Sequence, residues 1–186
     1  EYLEAHGYQQ YEISNWAKPG FRCRHNLQYW RNLPYLGFGA GAHGYADKLR
    51  VANVLRIRAY IERFLAPSPD PRHSSPVTFP ISPAAVQKQA ISSRAEMQET
   101  MLTGLRLTRE GVSEAVFAAR FGVGLADVFG KEIDELLRLG LLEWSSTDFF
   151  AESRTETDWR METDRCLRLT RRGRLLGNQV FMRFVG

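Results

Sequence analysis

The sequence predicts a mixed α/β plus α+β fold: an α/β segment, a proline-rich connection, and a second unit of winged-helix-like plan. Three observations predict it. The opening runs helix, glycine, strand; six prolines crowd residues 67–83; and residues 90–186 place amphipathic helices around a strand–hairpin–strand passage.

Taken in order, Glu1 to Gly7 is the end of a helix closed by Gly7, because glycine accepts the left-handed conformation at a helix C-terminus. Tyr8 to Ser14 alternates as a buried strand does. Helix, glycine, strand is the repeating grammar of an α/β barrel or a doubly wound sheet. Tyr35 to Ala42 reads as a second short strand that runs into a glycine-rich loop, and Leu55 to Leu65 as one helix with an apolar stripe. Pro67, Pro69, Pro71, Pro76, Pro80 and Pro83 follow, a density at which regular structure loses its amide donors. The expected division is therefore 1–48, 49–89 (helix and linker) and 90–186.

In the last unit Met97, Met101, Leu102 and Leu105 share one helical face, and Thr108 to Gly111 ends that helix. Ser113 is placed to cap a short helix carrying Val116, Phe117 and Phe121. Leu125, Val128, Phe129, Ile133, Leu136 and Leu137 give a third helix, closed by Gly140. Leu141 to Trp144 starts a strand, Arg165 to Leu169 returns as its partner, and Thr170 caps a last helix with Leu175, Leu176, Val180 and Phe184.

Apolar residues make up 44% of the 186 and charged ones 25%, so a buried core is expected. No apolar run approaches the roughly 18 residues of a membrane span, and no signal peptide opens the chain. Two distant cysteines, Cys23 and Cys166, argue against a disulfide framework and suit a cytoplasmic location. The first residues read as mid-helix without a start methionine, as in a chain cut from a longer one. Basic residues gather at Arg165, Arg168, Arg171, Arg172 and Arg174. A solvated face accounts for them better than a nucleic-acid or anion site.

Two constellations stand out. Gly37-Phe38-Gly39-Ala40-Gly41-Ala42-His43-Gly44 lets backbone approach a ligand closely and offers amides to a polar group. A tight barrel rim explains it equally well, and its spacing is not that of a dinucleotide fingerprint. His25-Asn26-Leu27-Gln28-Tyr29-Trp30 could line a flat apolar ligand and supply an axial nitrogen to iron. On the residues alone, a packed histidine with Tyr29 and Trp30 in the core is the weightier reading. Cys23 and His25 lack the two further ligands of a zinc site. His6 and His73 read as surface residues, and no catalytic triad or carboxylate pair is visible.

Tyr11-Glu12-Ile13-Ser14-Asn15-Trp16-Ala17-Lys18-Pro19-Gly20, then His25 to Asn32, then Tyr35 to Gly44 occur in fixed order. Together they closely resemble the late barrel segment of the oxygen-independent coproporphyrinogen III oxidase family of radical S-adenosylmethionine proteins. Gly104 to Thr108 with Gly111, Gly140-Leu141-Leu142, and Arg168 to Asn178 resemble the C-terminal domain of that family. The resemblance implies the closing part of an incomplete TIM-type barrel followed by a winged-helix-like domain. It implies S-adenosylmethionine and a [4Fe–4S] cluster in the intact protein, with Gly39, Gly41, Ala42 and His43 at the barrel mouth.

The His-Asn-x-x-Tyr-Trp string resembles the heme-chaperone branch. His25, Asn26, Tyr29 and Trp30 are then implied to contact heme or porphyrin, with His25 as an iron ligand and heme-receiving proteins as further partners. The family's Cys-x-x-x-Cys-x-x-Cys cluster loop is not found in this chain, so it supplies no cluster ligand and is expected to be inactive in radical chemistry. The rival readings are the true oxidase and a winged-helix nucleic-acid binder. Asp127, Glu132, Asp134 and Glu135 on the third helix weigh against the latter.

Overall fold

A computed structural model of the chain describes residues 2–65, 79–146 and 164–185. In chain order the first elements are α1 (Tyr2–Ala5), β1 (Gln9–Gln10), β2 (Trp16–Ala17), α2 (Arg24–Trp30), β3 (His43–Ala46) and β4 (Leu49–Asn53). Then come α3 (Ile57–Leu65), β5 (Ala85–Ala90), α4 (Ser93–Gly104), β6 (Val112–Ser113) and α5 (Glu114–Phe121). The last are α6 (Leu125–Arg138), β7 (Leu142–Ser146), β8 (Arg165–Leu169), α7 (Arg171–Leu175) and α8 (Gly177–Met182). Two units result: residues 1–32 with 97–186, and residues 33–96.

In the larger unit, α1 closes as its sequence predicts, with Gly7 at φ 80° and the Tyr8 amide bonded to the Leu3 carbonyl. The strand predicted over Tyr8–Ser14 shortens to β1, which pairs antiparallel with β2. Glu12 is the reason. Its carboxylate accepts from the Ser14 amide and the Asn15 side chain, while the Tyr11 amide reaches the Asn15 carbonyl. These bonds turn the chain back on itself where extension was expected.

The core of this unit lies between α4, α5, α6 and the sheet β6-β8-β7. Met101, Leu105, Phe117, Phe129, Leu136, Leu167, Val180 and Phe184 are fully buried there. Phe129 meets Phe117 and Phe184 edge-on, with ring centres 6.3 and 5.5 Å apart, the geometry the aromatic quadrupole favours. The caps fall where expected. Ser113 accepts from the Val116 amide, Thr170 from the Gly173 amide, and Gly140 ends α6 at φ 65°. Gly111 must be glycine twice over: its φ is 64°, and a Cβ there would lie 2.2 Å from the Leu167 carbonyl oxygen. The single closing helix of the sequence reading is two short ones, α7 and α8, which meet at Leu176 and Gly177.

In the smaller unit β3, β4 and β5 form an antiparallel sheet, with His43 opposite Ala52 and Leu49 opposite Ala90. Asp47 and Lys48, at φ 49° and 58°, make the two-residue hairpin between β3 and β4. Two sequence expectations change here. The strand predicted over Tyr35–Ala42 is a loop with one bridging pair, Tyr35 to Tyr45, and the strand begins at His43. The chain at Gly37 presses so close to its own strand that a Cβ would lie 2.2 Å from the His43 carbonyl oxygen. Secondly, β4 and β5 lie inside the stretch read as helix and linker. Ala85–Ala90 follows the last proline, Pro83, and so keeps every amide for pairing. Residues 66–78, with most of the prolines and His73, fall outside the described residues.

Among the described residues every strand pair is antiparallel, so the parallel pairing of a barrel segment is not found in them. No helix of the described residues is long and apolar enough to cross a membrane.

Phe129→Ala is expected to destabilise the chain by about 3–5 kcal/mol in urea titration, because the cavity left in a packed core cannot collapse. Val116→Ala on the exposed side of α5 is expected to change stability by less than about 0.5 kcal/mol. Equal effects of the two would contradict the placement of the core.

Candidate functional site

Helix α2 begins after Cys23, whose carbonyl accepts the Leu27 amide at 3.1 Å. Its two sides differ. Leu27 is buried with Tyr11, Ala17 and Leu107, and Trp30 packs on that small cluster. His25 and Tyr29, four residues apart, are exposed and meet ring edge to ring face, centres 4.9 Å apart. At helical spacing they lie opposite Leu27. Asn26 is half-buried between the two sides. The structure therefore pairs His25 with Tyr29 and turns Trp30 the other way. The four residues do not line a single face.

Trp30 is held from beneath by charge. The Arg106 guanidinium lies 4.5 Å from its ring centre, and Arg106 Nη2 lies 3.7 Å from Glu12 Oε2. Glu12 is fully buried, while Arg106 and Trp30 are half-buried, so the carboxylate end of the stack is the part shielded from solvent, where such contacts are strongest. Among the described residues Trp30 Nε1 is buried without a hydrogen-bond acceptor. The Ile13 amide bonds the Arg106 carbonyl, and the Thr108 hydroxyl bonds the Gln10 carbonyl at 2.8 Å. Arg174 donates to Gln10 and to the Thr108 carbonyl. Burial, with Arg168 nearby, pulls the Arg174 pKa below the ordinary arginine value.

Both ends of α2 are tied to one carboxylate. Arg22, ahead of the helix, and Arg31, at its C-terminus, both donate to Glu110; the Arg31 bonds are 3.1 and 2.8 Å. By sequence Glu110 belongs only to the helix break at Thr108–Gly111, and Arg22 and Arg31 carry no role. Their signal was available as two arginines bracketing the His-Asn-x-x-Tyr-Trp string.

In the smaller unit the glycine loop is braced from inside. Asn53 donates to the Gly37 and Gly39 carbonyls at 3.2 and 3.0 Å, and Ser82 donates to Asn53 at 2.9 Å. The Gly39 amide reaches the Tyr60 hydroxyl, the Gly41 amide the Val54 carbonyl, and the Ala42 amide the Gly39 carbonyl. These three amides are spent within the unit, which corrects the expectation that they are available to a ligand. What stays open is the bare backbone of Gly39, at φ 101°, where a Cβ would meet nothing within 4 Å. His43 is exposed at the start of β3. Asn53 and Tyr60 escaped the sequence reading because neither lies in the glycine motif.

The residues present do not fit a [4Fe–4S] cluster. Cys23 is exposed and Cys166 buried, and the described residues hold no group of three or more His, Cys, Asp or Glu suited to a metal. The cluster's chemistry has no seat in these residues.

Comparison with known proteins bears on this geometry. The model of the HemN C-terminal domain matches residues 91–154. The heme chaperone HemW of Bacillus subtilis (strain 168) is 36% identical over 184 residues, covering 99% of this chain and 40% of the relative. Along nearly its whole length the chain is thus similar to a heme chaperone, and in its C-terminal part to the HemN C-terminal domain. HemW of Lactococcus lactis is 28% identical over 98% of the chain and 39% of that protein. HemW of Escherichia coli (strain K12) is 64% identical over 42 residues, 23% of the chain and 11% of the relative. The coproporphyrinogen III oxidase HemN of Escherichia coli, reported as a radical SAM enzyme, shares the fold at a TM-score of 0.58 and 15% identity. That match covers 98% of this chain and 38% of the oxidase. The chain thus spans about two fifths of the length of the curated relatives it matches along its whole course.

Asn53→Ala is expected to cost about 1–3 kcal/mol, since it leaves two loop carbonyls without their donor. Amide exchange at residues 37–42 should quicken with it. A variant as stable as the parent, with unchanged exchange there, would contradict the brace.

Proposed function

We propose that this chain is the heme-binding C-terminal part of a heme chaperone, and that heme docks on the outward side of α2 with His25 as the iron ligand. The observation that carries the reading is the exposed His25–Tyr29 pair on a helix whose other side is anchored by Leu27 and Trp30. An imidazole ring nitrogen is a common axial ligand of heme iron. The edge of Tyr29 limits how the His25 ring turns, and an aromatic neighbour gives a flat apolar ligand a surface to rest on. Asn26 would contact the same ligand from the helix flank, while Trp30 acts from beneath by holding the helix.

In the intact protein, S-adenosylmethionine would lie against Gly39, with Gly41, Ala42 and His43 around it, and the rest of the protein would supply the [4Fe–4S] ligands. Residues 1–48 would be the closing part of a barrel. In support, α3 and the loops near it expose Phe38, Leu55, Ile57, Ile61 and Leu65, an apolar face that a larger barrel would cover. The β7–β8 pair would form the wing of a winged-helix-like domain, and heme would pass to receiving proteins in the cytoplasm.

Two rivals find less support. An oxidase acting on propionates needs basic groups facing its substrate, and Arg22 and Arg31 are already committed to Glu110. In the nucleic-acid reading the arginine cluster would face phosphate. Instead Arg165 pairs with Glu114, Arg168 with Glu143, and Arg172 and Arg174 donate to carbonyls.

Titration of the intact protein with heme should show His25→Ala weakened at least tenfold, or altered in its Soret band, relative to His6→Ala. A tenfold change corresponds to about 1.4 kcal/mol. Equal behaviour of the two variants would overturn the ligand role of His25.

A further inference from the structure

We infer that Glu110 is a positioning residue for the ligand side of α2. This rests on the heme reading of α2 in its last step only. The chain of constraint starts at Gly111, whose backbone is pressed against β8 so tightly that no other residue fits. That contact fixes the turn carrying Glu110. The Glu110 carboxylate is largely buried, at 11% exposure, and the two guanidinium groups it holds are 27% and 38% exposed.

One oxygen takes Arg22 and the other takes Arg31 through two donors. Arg22 stands one residue ahead of the N-cap Cys23, and Arg31 directly follows the seven-residue helix. So short a helix is marginal by itself, because few of its backbone bonds repay nucleation. Its N-cap, Cys23, contributes no side-chain bond, which leaves the first turn without the usual support. Leu27 in the middle of the helix and Trp30 at its last residue anchor one side of it. Rotation about that anchor is still open, and rotation is what decides where His25 points. A carboxylate gripping both ends removes this freedom. Charge-assisted bonds to Arg are the strongest of the available kinds and have fixed geometry. Asn32, bonded to Thr100 at 3.1 Å, adds a weaker tie at the same end.

The test uses the intact protein and two readouts. Hydrogen exchange at residues 24–31 reports the clamp, and the heme absorption spectrum with the heme dissociation rate reports the ligand. Glu110→Gln keeps the shape and removes the charge. It is expected to speed exchange at residues 24–31 roughly tenfold, the scale of one charged hydrogen bond, and to shift the spectrum or speed dissociation by a similar factor. Glu110→Asp, which keeps the charge, should recover part of both effects. Glu143→Gln, which breaks a separate pair with Arg168, should change neither. Should Glu110→Gln not fold, Arg31→Gln carries the same expectation. Unchanged exchange at residues 24–31 would overturn the clamp. Faster exchange with an unchanged heme spectrum and dissociation rate would overturn the positioning role. If wild type and His25→Ala bind heme alike, the heme reading fails, and exchange alone then decides the clamp.

Discussion

Two buried carboxylates, Glu12 and Glu110, hold residues 9–31 to the loop between α4 and β6, and the placement of the candidate ligand helix depends on them. Neither could stay charged in an apolar interior without partners, since an isolated buried ion costs several kcal/mol. Glu12 is met by Ser14, Asn15 and the Arg106 guanidinium, and Glu110 by two arginines. Such pairs add little net stability over a well-packed apolar core. Removing one partner, however, leaves a charge stranded, at a cost that the partial exposure of the arginines holds below that of a fully buried pair. Their value here is geometric: they fix the direction from which α2 meets the rest of its unit.

This explains why residues far apart in the chain behave as one unit. Arg106 bonds through its carbonyl to Ile13 and stacks through its side chain on Trp30. Thr108 bonds Tyr11 and Gln10, and Arg109 bonds Gln9. The segment Arg106–Glu110, which overlaps the helix break read at Thr108–Gly111, is also a docking strip for the N-terminal segment. The smaller unit works by the same rule on a smaller scale, with Asn53 in the role of brace for the Gly37–Gly41 loop.

Much of the larger unit was legible because its signals are local. Ser113, Thr170, Gly7 and Gly140 announce helix ends through their own backbone chemistry, and the three- and four-residue spacing in α6 announces its buried side. Two stretches were harder to read. Tyr8–Ser14 alternates like a strand, but whether it extends is decided by the Glu12 carboxylate bending back to Ser14 and Asn15. Ala85–Ala90 has no apolar alternation and pairs only because β4 offers it an edge. At the site, the His25 to Trp30 string was visible as a motif. That His25 and Tyr29 point away from Trp30 follows from helical spacing. The grip of Glu110 on Arg22 and Arg31 spans 88 and 79 residues of chain, so the two bracketing arginines do not by themselves reveal their partner.

The central claim is that α2 turns its His25–Tyr29 side outward to ligate heme while its Leu27–Trp30 side is held from beneath. A structure of the heme-loaded intact protein tests it most directly. The account predicts iron bonded to a ring nitrogen of His25, with Tyr29 against the porphyrin and Trp30 still under the Arg106 guanidinium. Iron held by residues outside α2, with His25 free in solvent, would contradict it.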